Sequence, residues 1–137
     1  MDGKMTNIEF KVDSKIKAEE LSVIFERSGL KRPYKDLARM ERMIENADII
    51  ISAWDDDKLV GVARAITDFS YCCYLSDLAV DKEYQNQGIG RELVRLVQEQ
   101  IGDEVTLLLL ASPTAMEYYP HIGFDKVTNG YIIPRKR

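Results

Sequence analysis

The sequence contains few of the residues from which metal and thiol sites are built. It has two cysteines and one histidine in 137 residues, whereas a structural zinc site takes four Cys or His ligands. The sequence therefore predicts no metal site. The cysteines, Cys72 and Cys73, are adjacent, and neighbours in a strand point to opposite faces, so no disulfide between them is expected. Unbridged cysteines favour the cytoplasm, and no catalytic thiol is expected here.

A large excess of one charge is also lacking. The sequence has 19 Lys and Arg residues and 23 Asp and Glu residues, so its net charge is −4. This argues against sequence-independent electrostatic binding of nucleic acid. No apolar run approaches the roughly 20 residues that span a bilayer, and the N-terminus does not resemble a signal peptide. We therefore expect neither a nucleic acid nor a membrane as partner. Residues 1–137 are interpreted as one domain, monomeric or homodimeric, with residues 1–6 a candidate flexible N-terminus.

Hydrophobic periodicity predicts the order of secondary-structure elements. Strand patterns occupy residues 8–12, 48–54, 59–68, 71–80, 105–111, 123–127 and 130–136. Helical patterns occupy residues 17–29, 36–47 and 88–101, and Ser112-Pro113 predicts the start of a short helix. Because residues 105–111 are apolar throughout, we expect a central strand that is covered on both faces. The order β-α-α-β-β-β-α-β-α-β-β predicts a three-layer α/β domain with a mixed sheet.

Two glycines, Gly88 and Gly90, stand where the helix at 88–101 is predicted to begin. The first amides of a helix have no intrahelical partner and carry partial positive charge. Glycine removes the Cβ that would keep a phosphate from those amides. The stretch 85–91 is thus a candidate diphosphate cradle, although the glycines could equally serve only to turn the chain. A Rossmann motif would need a third glycine, and a P-loop would need Gly-Lys-Ser/Thr.

A longer comparison decides between these alternatives. The segment "LAVDKEYQNQGIG" (78–90) resembles motif A of the Gcn5-related N-acetyltransferase (GNAT) superfamily, whose Gln/Arg-x-x-Gly-x-Gly/Ala is matched by Gln85, Gly88 and Gly90. The segment "SPTAMEYYPHIGF" (112–124) resembles motif B of the same family. The matching residues there are Ala115, Tyr119, Gly123 and Phe124. Tyr118 takes the position of the family's phenylalanine, and Ser112 takes the position of its asparagine. The resemblance covers essentially the whole chain and implies a GNAT fold with a mixed, mostly antiparallel central sheet.

The resemblance also implies a chemistry. Acetyl-CoA would be the cofactor and CoA the product, with the acetyl group passing by direct attack in a ternary complex to a primary amine of a small molecule or peptide. A backbone amide near Leu78, beside a strand irregularity common in the family, would polarise the thioester carbonyl. Tyr119 would protonate the departing thiolate. The implied cofactor-binding residues are Leu78, Ala79, Val80, Gln85, Asn86, Gln87, Gly88, Ile89, Gly90, Arg91, Ser112 and Tyr119.

The group that deprotonates the amine is harder to predict. Transfer through ordered water is expected, with Asp68 and Tyr74 as weak candidates for a base or for positioning that water. Asp77 is expected to point away, toward a structural partner. Pro120 directly follows Tyr119 and biases that residue away from helical backbone angles.

The acceptor side of the site is predicted within residues 13–47. Four side chains there, Arg32, Tyr34, Lys35 and Arg39, could favour an acceptor that bears a carboxylate, or could simply be solvated. The alternative function is a non-catalytic acyl-CoA-binding regulatory module.

Overall fold

A computed structural model describes residues 7–137, so the predicted flexible N-terminus at 1–6 lies outside the described residues. The strands are β1 (Ile8–Val12), β2 (Ile49–Asp55), β3 (Lys58–Thr67), β4 (Cys72–Val80) and β5 (Thr106–Leu108). The helices are α1 (Ala18–Ser28), α2 (Leu37–Glu45), α3 (Ile89–Ile101) and the short α4 (Tyr118–His121), and single 3₁₀ turns lie at Lys82–Tyr84 and Pro113–Ala115. Among the described residues, no helix is both long enough and apolar enough to cross a membrane.

The five strands form one mixed sheet in the order β1-β2-β3-β4-β5. The first four strands are antiparallel to their neighbours, and β5 runs parallel to β4. Helices flank both faces, so the predicted α/β fold class is confirmed. The parallel step between β4 and β5 is made by α3, as expected because parallel strands need a long crossover connection.

Each face of the sheet has its own hydrophobic core. Alternate residues of β2 point to opposite sides, so Ile51 packs with α3 while Ile50 packs with α1 and α2. The predicted inward face of α3 is confirmed, because Ile89, Leu93, Val97 and Ile101 are all buried. On the other side, Leu21, Ile24, Phe25 and Met40 are completely buried. Both cores lie against the centre of the sheet and hold β3 and β4 in place.

The chain end differs from the prediction. Residues 105–111 were expected to form a central strand, but β5 has three residues and is the edge of the sheet. Leu107 and Leu109 pack on the α3 core, whereas Leu108 and Leu110 are exposed. A run of leucines cannot distinguish one covered face from two.

The two strands predicted at 123–127 and 130–136 do not form. A strand needs a ladder partner, and the three-residue edge of β5 offers few hydrogen-bonding groups. Gly130 and Pro134 further weaken the second segment, because proline cannot donate to a ladder. The structure therefore follows the predicted order of elements as far as α4 and not beyond it.

Candidate active site

The functional cleft opens where β4 and β5 stop pairing. Their ladder joins Cys72–Tyr74 to Thr106–Leu108, and β4 then continues to Val80 with no strand on that side. A cleft of about 820 Å³ lies along this free edge. It is walled by β4, the residues that follow α1, the start of α3 and the segment that follows β5. An unpaired strand edge presents backbone donors and acceptors to any extended ligand that lies beside it.

A β-bulge distorts β4 at the mouth of this cleft. Arg64 of β3 is opposite Asp77, but the next residue, Ala65, is opposite Leu75, so Ser76 has no partner across the ladder. The bulge lies two residues before Leu78, where the family resemblance implied a strand irregularity. Bulges re-aim the backbone and are frequent next to active sites. The predicted irregularity is therefore present in this chain.

The start of α3 forms one end of the cleft, which we call the cradle end. Gly88 is the N-cap and has φ +87°, a left-handed conformation that favours glycine, and Asn86 is also left-handed with φ +66°. The first intrahelical bond recorded at this end runs from the amide of Glu92 to the carbonyl of Gly88. The preceding helical amides, of residues 89–91, thus lack intrahelical acceptors and are available to bind an anion. Gln85 donates to the carbonyl of Val80 at 2.8 Å and ties this loop to β4.

Gly90 has a second reason to be glycine, which the sequence did not reveal. A Cβ at position 90 would lie 2.5 Å from the hydroxyl oxygen of Tyr118, closer than real contacts allow. The ring carbon that carries the hydroxyl would be 3.5 Å away, an ordinary contact. The Tyr118 hydroxyl therefore lies against the first turn of α3, and burial raises its pKa. Tyr118 is a site residue that motif matching identified only as an aromatic.

Tyr119 lies deeper in the cleft than Tyr118. Its ring makes edge-on contacts with the rings of Tyr118 at 5.2 Å and Phe124 at 5.4 Å. Its carbonyl accepts hydrogen bonds from the amides of Ile122 and Phe124. Burial raises the pKa of the Tyr119 hydroxyl, the neighbouring Tyr118 raises it further, and Arg32 partly offsets both. The hydroxyl thus keeps its proton at neutral pH and is available as a donor.

Tyr119 is helical despite the proline that follows it. Pro120 lies in the first turn of α4, where a missing N–H leaves no intrahelical bond unmade. The bias that proline imposes on the preceding residue is overridden here by the packing of the aromatic rings. Tyr119 therefore adopts a helical conformation against the bias that Pro120 imposes.

The two candidate bases do not lie in the cleft. Asp68 belongs to the turn between β3 and β4, where one carboxylate oxygen accepts from three backbone amides. Those hydrogen bonds, from Tyr71 first, lower the pKa of Asp68 to about 2. Tyr74 lies on β4 before the cleft opens and is also absent from its lining. The structure brings neither of them to Tyr119.

Asp77 has the structural partners that were predicted for it. Its buried carboxylate accepts from Arg32 at 2.6 Å and from Arg64 at 2.5 Å. Arg32 also donates to the carbonyls of Ser76 and Lys31. The Nε, Nη1 and Nη2 atoms of Arg32 are thus all engaged within the protein, which argues against Arg32 as a carboxylate receptor for the acceptor substrate.

Eleven of the twelve implied cofactor-binding positions line the cleft, and Gln87 does not. Ser112 stands at the N-cap of a 3₁₀ turn, yet its hydroxyl does not cap that turn and lies 3.4 Å from the Thr114 hydroxyl. Among the described residues, the lining contains the cations Arg32, Lys82 and Arg91 and no carboxylate. The cleft is therefore electropositive although the chain is acidic overall.

Lys82 was missed by sequence reasoning. Its side chain packs on the C-cap of α1, where its Cε would lie 2.9 Å from a Cβ at Gly29. The cysteines play no part in the cleft: both are free, and burial raises the pKa of the Cys73 thiol. In the part of the chain that the structure describes, no three His, Cys, Asp or Glu side chains are grouped to hold a metal ion.

Solved structures share this fold. The GNAT-family acetyltransferase from Streptococcus pneumoniae TIGR4 matches with a TM-score of 0.75 and 23% identity over 95% of this chain and 99% of that one. The aminoglycoside N-acetyltransferase AAC(6')-Iy, solved in complex with CoA, matches with a TM-score of 0.73 and 16% identity over 99% of this chain and 98% of that one. At these identities the likeness establishes the fold alone.

Curated relatives are also similar in sequence. An uncharacterized N-acetyltransferase, ycf52, of Pyropia yezoensis is 30% identical over 95% of this chain and 80% of its own length. The histone acetyltransferase TAP1 of Glycine max is 26% identical over 94% of this chain and 61% of its own length. The chain therefore spans about three fifths of that longer relative. A family model described as an acetyltransferase (GNAT) domain matches residues 7–132, so the chain belongs to the GNAT acetyltransferase family.

Proposed function

We propose that the protein transfers the acetyl group of acetyl-CoA to a primary amine of a small molecule or peptide, by direct attack in a ternary complex. One observation carries this proposal: the free edge of β4 leads from the bulge at Ser76 to the open N-terminus of α3, and the protonated Tyr119 lines the same cleft. One continuous groove thus offers backbone groups to a thioester, amides to its diphosphate and a proton donor to its sulfur.

The residues present fit acetyl-CoA, which when bound supplies an activated acetyl thioester. The β4 backbone at residues 78–80 offers ladder groups to the pantetheine arm. The amides of residues 89–91 and the guanidinium of Arg91 offer donors to the diphosphate. Three cations and no acidic group in the described lining suit a polyanionic ligand. Ser112, whose hydroxyl caps no helix, is free to bind the pantetheine in place of the family asparagine.

Two groups of this chain act on the reacting bond. A backbone amide near Leu78, just beyond the bulge, donates to the carbonyl oxygen as negative charge develops on it, the arrangement that gives the largest electrostatic contribution in acyl transfer. The Tyr119 hydroxyl donates its proton to the sulfur as the carbon–sulfur bond breaks. The hydroxyl is protonated at pH 7, since its pKa lies above its ordinary value.

The acceptor amine loses its proton to water rather than to a side chain. Presenting a lysine-like amine in its neutral form at pH 7 costs about 4–5 kcal/mol. Asp68, with a pKa of about 2 and outside the cleft, is a poor base for that task. The described lining itself contains no carboxylate. We therefore propose a water chain, and a rate that rises with pH as the free amine becomes more abundant.

The absence of a carboxylate in the described lining, in which His121 is the one imidazole, also favours the alternative, an acyl-CoA-binding module without turnover. Release of free CoA in the presence of amines separates the two. The panel contains simple primary amines, amino acids that carry a carboxylate, an aminoglycoside and lysine-containing peptides, and intact-mass detection identifies the product. Acetylated product from any class supports the enzyme. Binding of acetyl-CoA by calorimetry without product from the whole panel supports the module.

Cytoplasmic location stays a prediction.

The cradle has its own test. Gly88→Glu adds a side chain and a negative charge against the diphosphate. It also requires a glutamate to adopt the left-handed backbone conformation of Gly88. Gly102→Glu is the matched control, since Gly102 has φ +80° at the other end of α3 with no atom within 4 Å of its would-be Cβ. We expect calorimetry to show much weaker acetyl-CoA binding in the first variant and unchanged binding in the second. Equal affinities would place the cofactor elsewhere.

A further inference from the structure

A buried ion cluster fixes the bulge of β4. Asp77 accepts from Arg64 of β3 on one oxygen and from Arg32, in the connection after α1, on the other. Both arginines also reach the bulged residue itself: Arg32 donates to the Ser76 carbonyl at 2.8 Å, and Arg64 donates to the Ser76 hydroxyl at 3.1 Å. The polar groups of a residue without a ladder partner are thus bound by two guanidinium groups.

The geometry points to Arg32 as a positioning residue for catalysis: by its two-pronged contact with Asp77 and the Ser76 carbonyl, it aims the β4 backbone at the thioester carbonyl. This inference rests on the proposed acetyl transfer. It goes further by giving a role to a residue of the acceptor-side connection, which touches neither the diphosphate cradle nor the motif B helix. Arg32 acts through the backbone, so it is not itself a catalytic residue.

Three features support a role beyond packing. The Arg32 side chain retains 28% of its exposure and lines the cleft, whereas the carboxylate that it pairs with is completely buried. Arg32 is close enough to Tyr119 to counteract the rise in the pKa of that hydroxyl. The cluster of two guanidinium groups and one carboxylate also leaves a net positive charge beside the reacting carbonyl. A fixed cation there favours developing negative charge.

The test uses Arg32→Lys and Arg32→Gln, with Arg27→Gln as the matched control. Arg27 also pairs with a buried carboxylate of the same region, that of Asp81, but it neither lines the cleft nor touches the bulge. Lysine keeps the positive charge that balances Asp77, so the variant is expected to fold. Its single ammonium group cannot replace the planar guanidinium that donates to the carboxylate and the carbonyl together. Each variant is assayed for thermal unfolding, acetyl-CoA affinity, kcat and amide hydrogen exchange along β4.

We expect both Arg32 variants to lower kcat by about 10- to 100-fold, the cost of misplacing a reacting centre, while acetyl-CoA affinity changes less than about threefold. Arg27→Gln is expected to keep its kcat. Exchange at the Asp77 amide should be at least about tenfold faster in Arg32→Lys than in Arg27→Gln.

A kcat for Arg32→Lys within about threefold of the parent would overturn the positioning role, because charge alone would then suffice. Unchanged exchange at the Asp77 amide would overturn it without any assay of turnover. If the parent protein releases no CoA with any amine, the proposed acetyl transfer fails, and the exchange measurement still decides whether Arg32 holds the bulge.

Discussion

Two buried carboxylates connect β4 and its end to the α1 side of the molecule, and they do so differently. Asp77 is bonded to two arginines that also bind the bulged residue, Arg32 at the Ser76 carbonyl and Arg64 at the Ser76 hydroxyl. Asp81, the residue after β4, accepts from Arg27 and from the amide of Glu83, at the start of a 3₁₀ turn that leads toward the cradle. The first carboxylate fixes a backbone irregularity, and the second fixes the direction in which the chain leaves the strand.

The difference suggests a division of labour along the cleft. In the proposed reaction, Tyr119 at the bulge end acts on the breaking bond, and Ser76, Asp77 and Arg32 position the backbone beside it. The cradle end, with Gly88, Gly90 and Tyr118, is proposed to hold the cofactor. Changes at the bulge end should therefore alter turnover, and changes at the cradle end should alter affinity.

The largest effect is expected from Tyr119→Phe. Removing a general acid typically slows a reaction by about 10²- to 10⁴-fold, and phenylalanine keeps the ring contacts with Tyr118 and Phe124. Acetyl-CoA affinity should therefore change little while kcat falls, as for an interaction made mainly in the transition state. Steady-state kinetics with calorimetry checks this.

Tyr118→Phe is the control for that measurement, since it removes a hydroxyl from the adjacent residue at the cradle end. We expect its kcat to stay close to that of the parent. If the two variants lose turnover equally, Tyr119 has no special role as the acid and the contrast between the two ends disappears.

The next largest effect distinguishes the two carboxylates by stability. Asp77→Ala should lower the free energy of unfolding by about 3–5 kcal/mol, the range for breaking a buried ion pair. The guanidinium of Arg64 is largely buried and would lose the carboxylate that balances its charge. Asp81→Ala should cost about 1–3 kcal/mol, because Arg27 and Lys58 are 37% and 44% exposed and can return to water. Urea unfolding of both variants measures the difference. A larger loss for Asp81→Ala would reverse the ranking.

A smaller effect is expected at Gly90. Gly90→Ala should push the Tyr118 hydroxyl out of its place and weaken acetyl-CoA binding by about tenfold, or roughly 1.4 kcal/mol. The double variant Gly90→Ala/Tyr118→Phe has no hydroxyl to displace, and its ring carbon would be at an ordinary 3.5 Å. Calorimetry on the double-mutant cycle should show the two changes coupled. Strictly additive losses would mean that Gly90 is glycine only for the cofactor.

The smallest effect concerns pH. Burial alone would raise the pKa of Asp81, but the hydrogen bond from Arg27 and the Glu83 amide leave it lowered. A carboxylate whose folded pKa is depressed contributes stability above its unfolded pKa of about 3.9. That contribution is lost as the pH falls through the lower folded value. Between pH 5 and pH 3, unfolding free energy should fall less steeply in Asp81→Asn than in the parent; identical slopes would exclude this contribution.

Much of this arrangement follows from the sequence because it depends on local patterns. β1 was predicted at its observed bounds, and the inward face of α3 follows from the spacing of its apolar residues. The start of α3 beside Gly88 follows from the two glycines that precede its apolar pattern. Such features are fixed by residues close together in the chain, so a single sequence contains them.

The remainder depends on contacts between distant residues. The pairing of Arg32 with Asp77 joins positions 45 apart, and the approach of Tyr118 to Gly90 joins two motifs that the sequence presents separately. The missing strands after residue 124 show the same limit, since strand formation depends on the partner and not only on alternation. Asp68 was chosen for its carboxylate, and only the structure shows that three amides already use it.

Single-turnover kinetics over a range of acetyl-CoA concentrations up to saturation tests the central claim most directly, by comparing Tyr119→Phe with Gly88→Glu. We expect Tyr119→Phe to be slow at every acetyl-CoA concentration with a half-saturation near that of the parent. Gly88→Glu should require far more acetyl-CoA to saturate and then approach the rate of the parent. If both variants change the same parameter, or if their effects are exchanged, chemistry and cofactor binding are not divided between the two ends of this cleft.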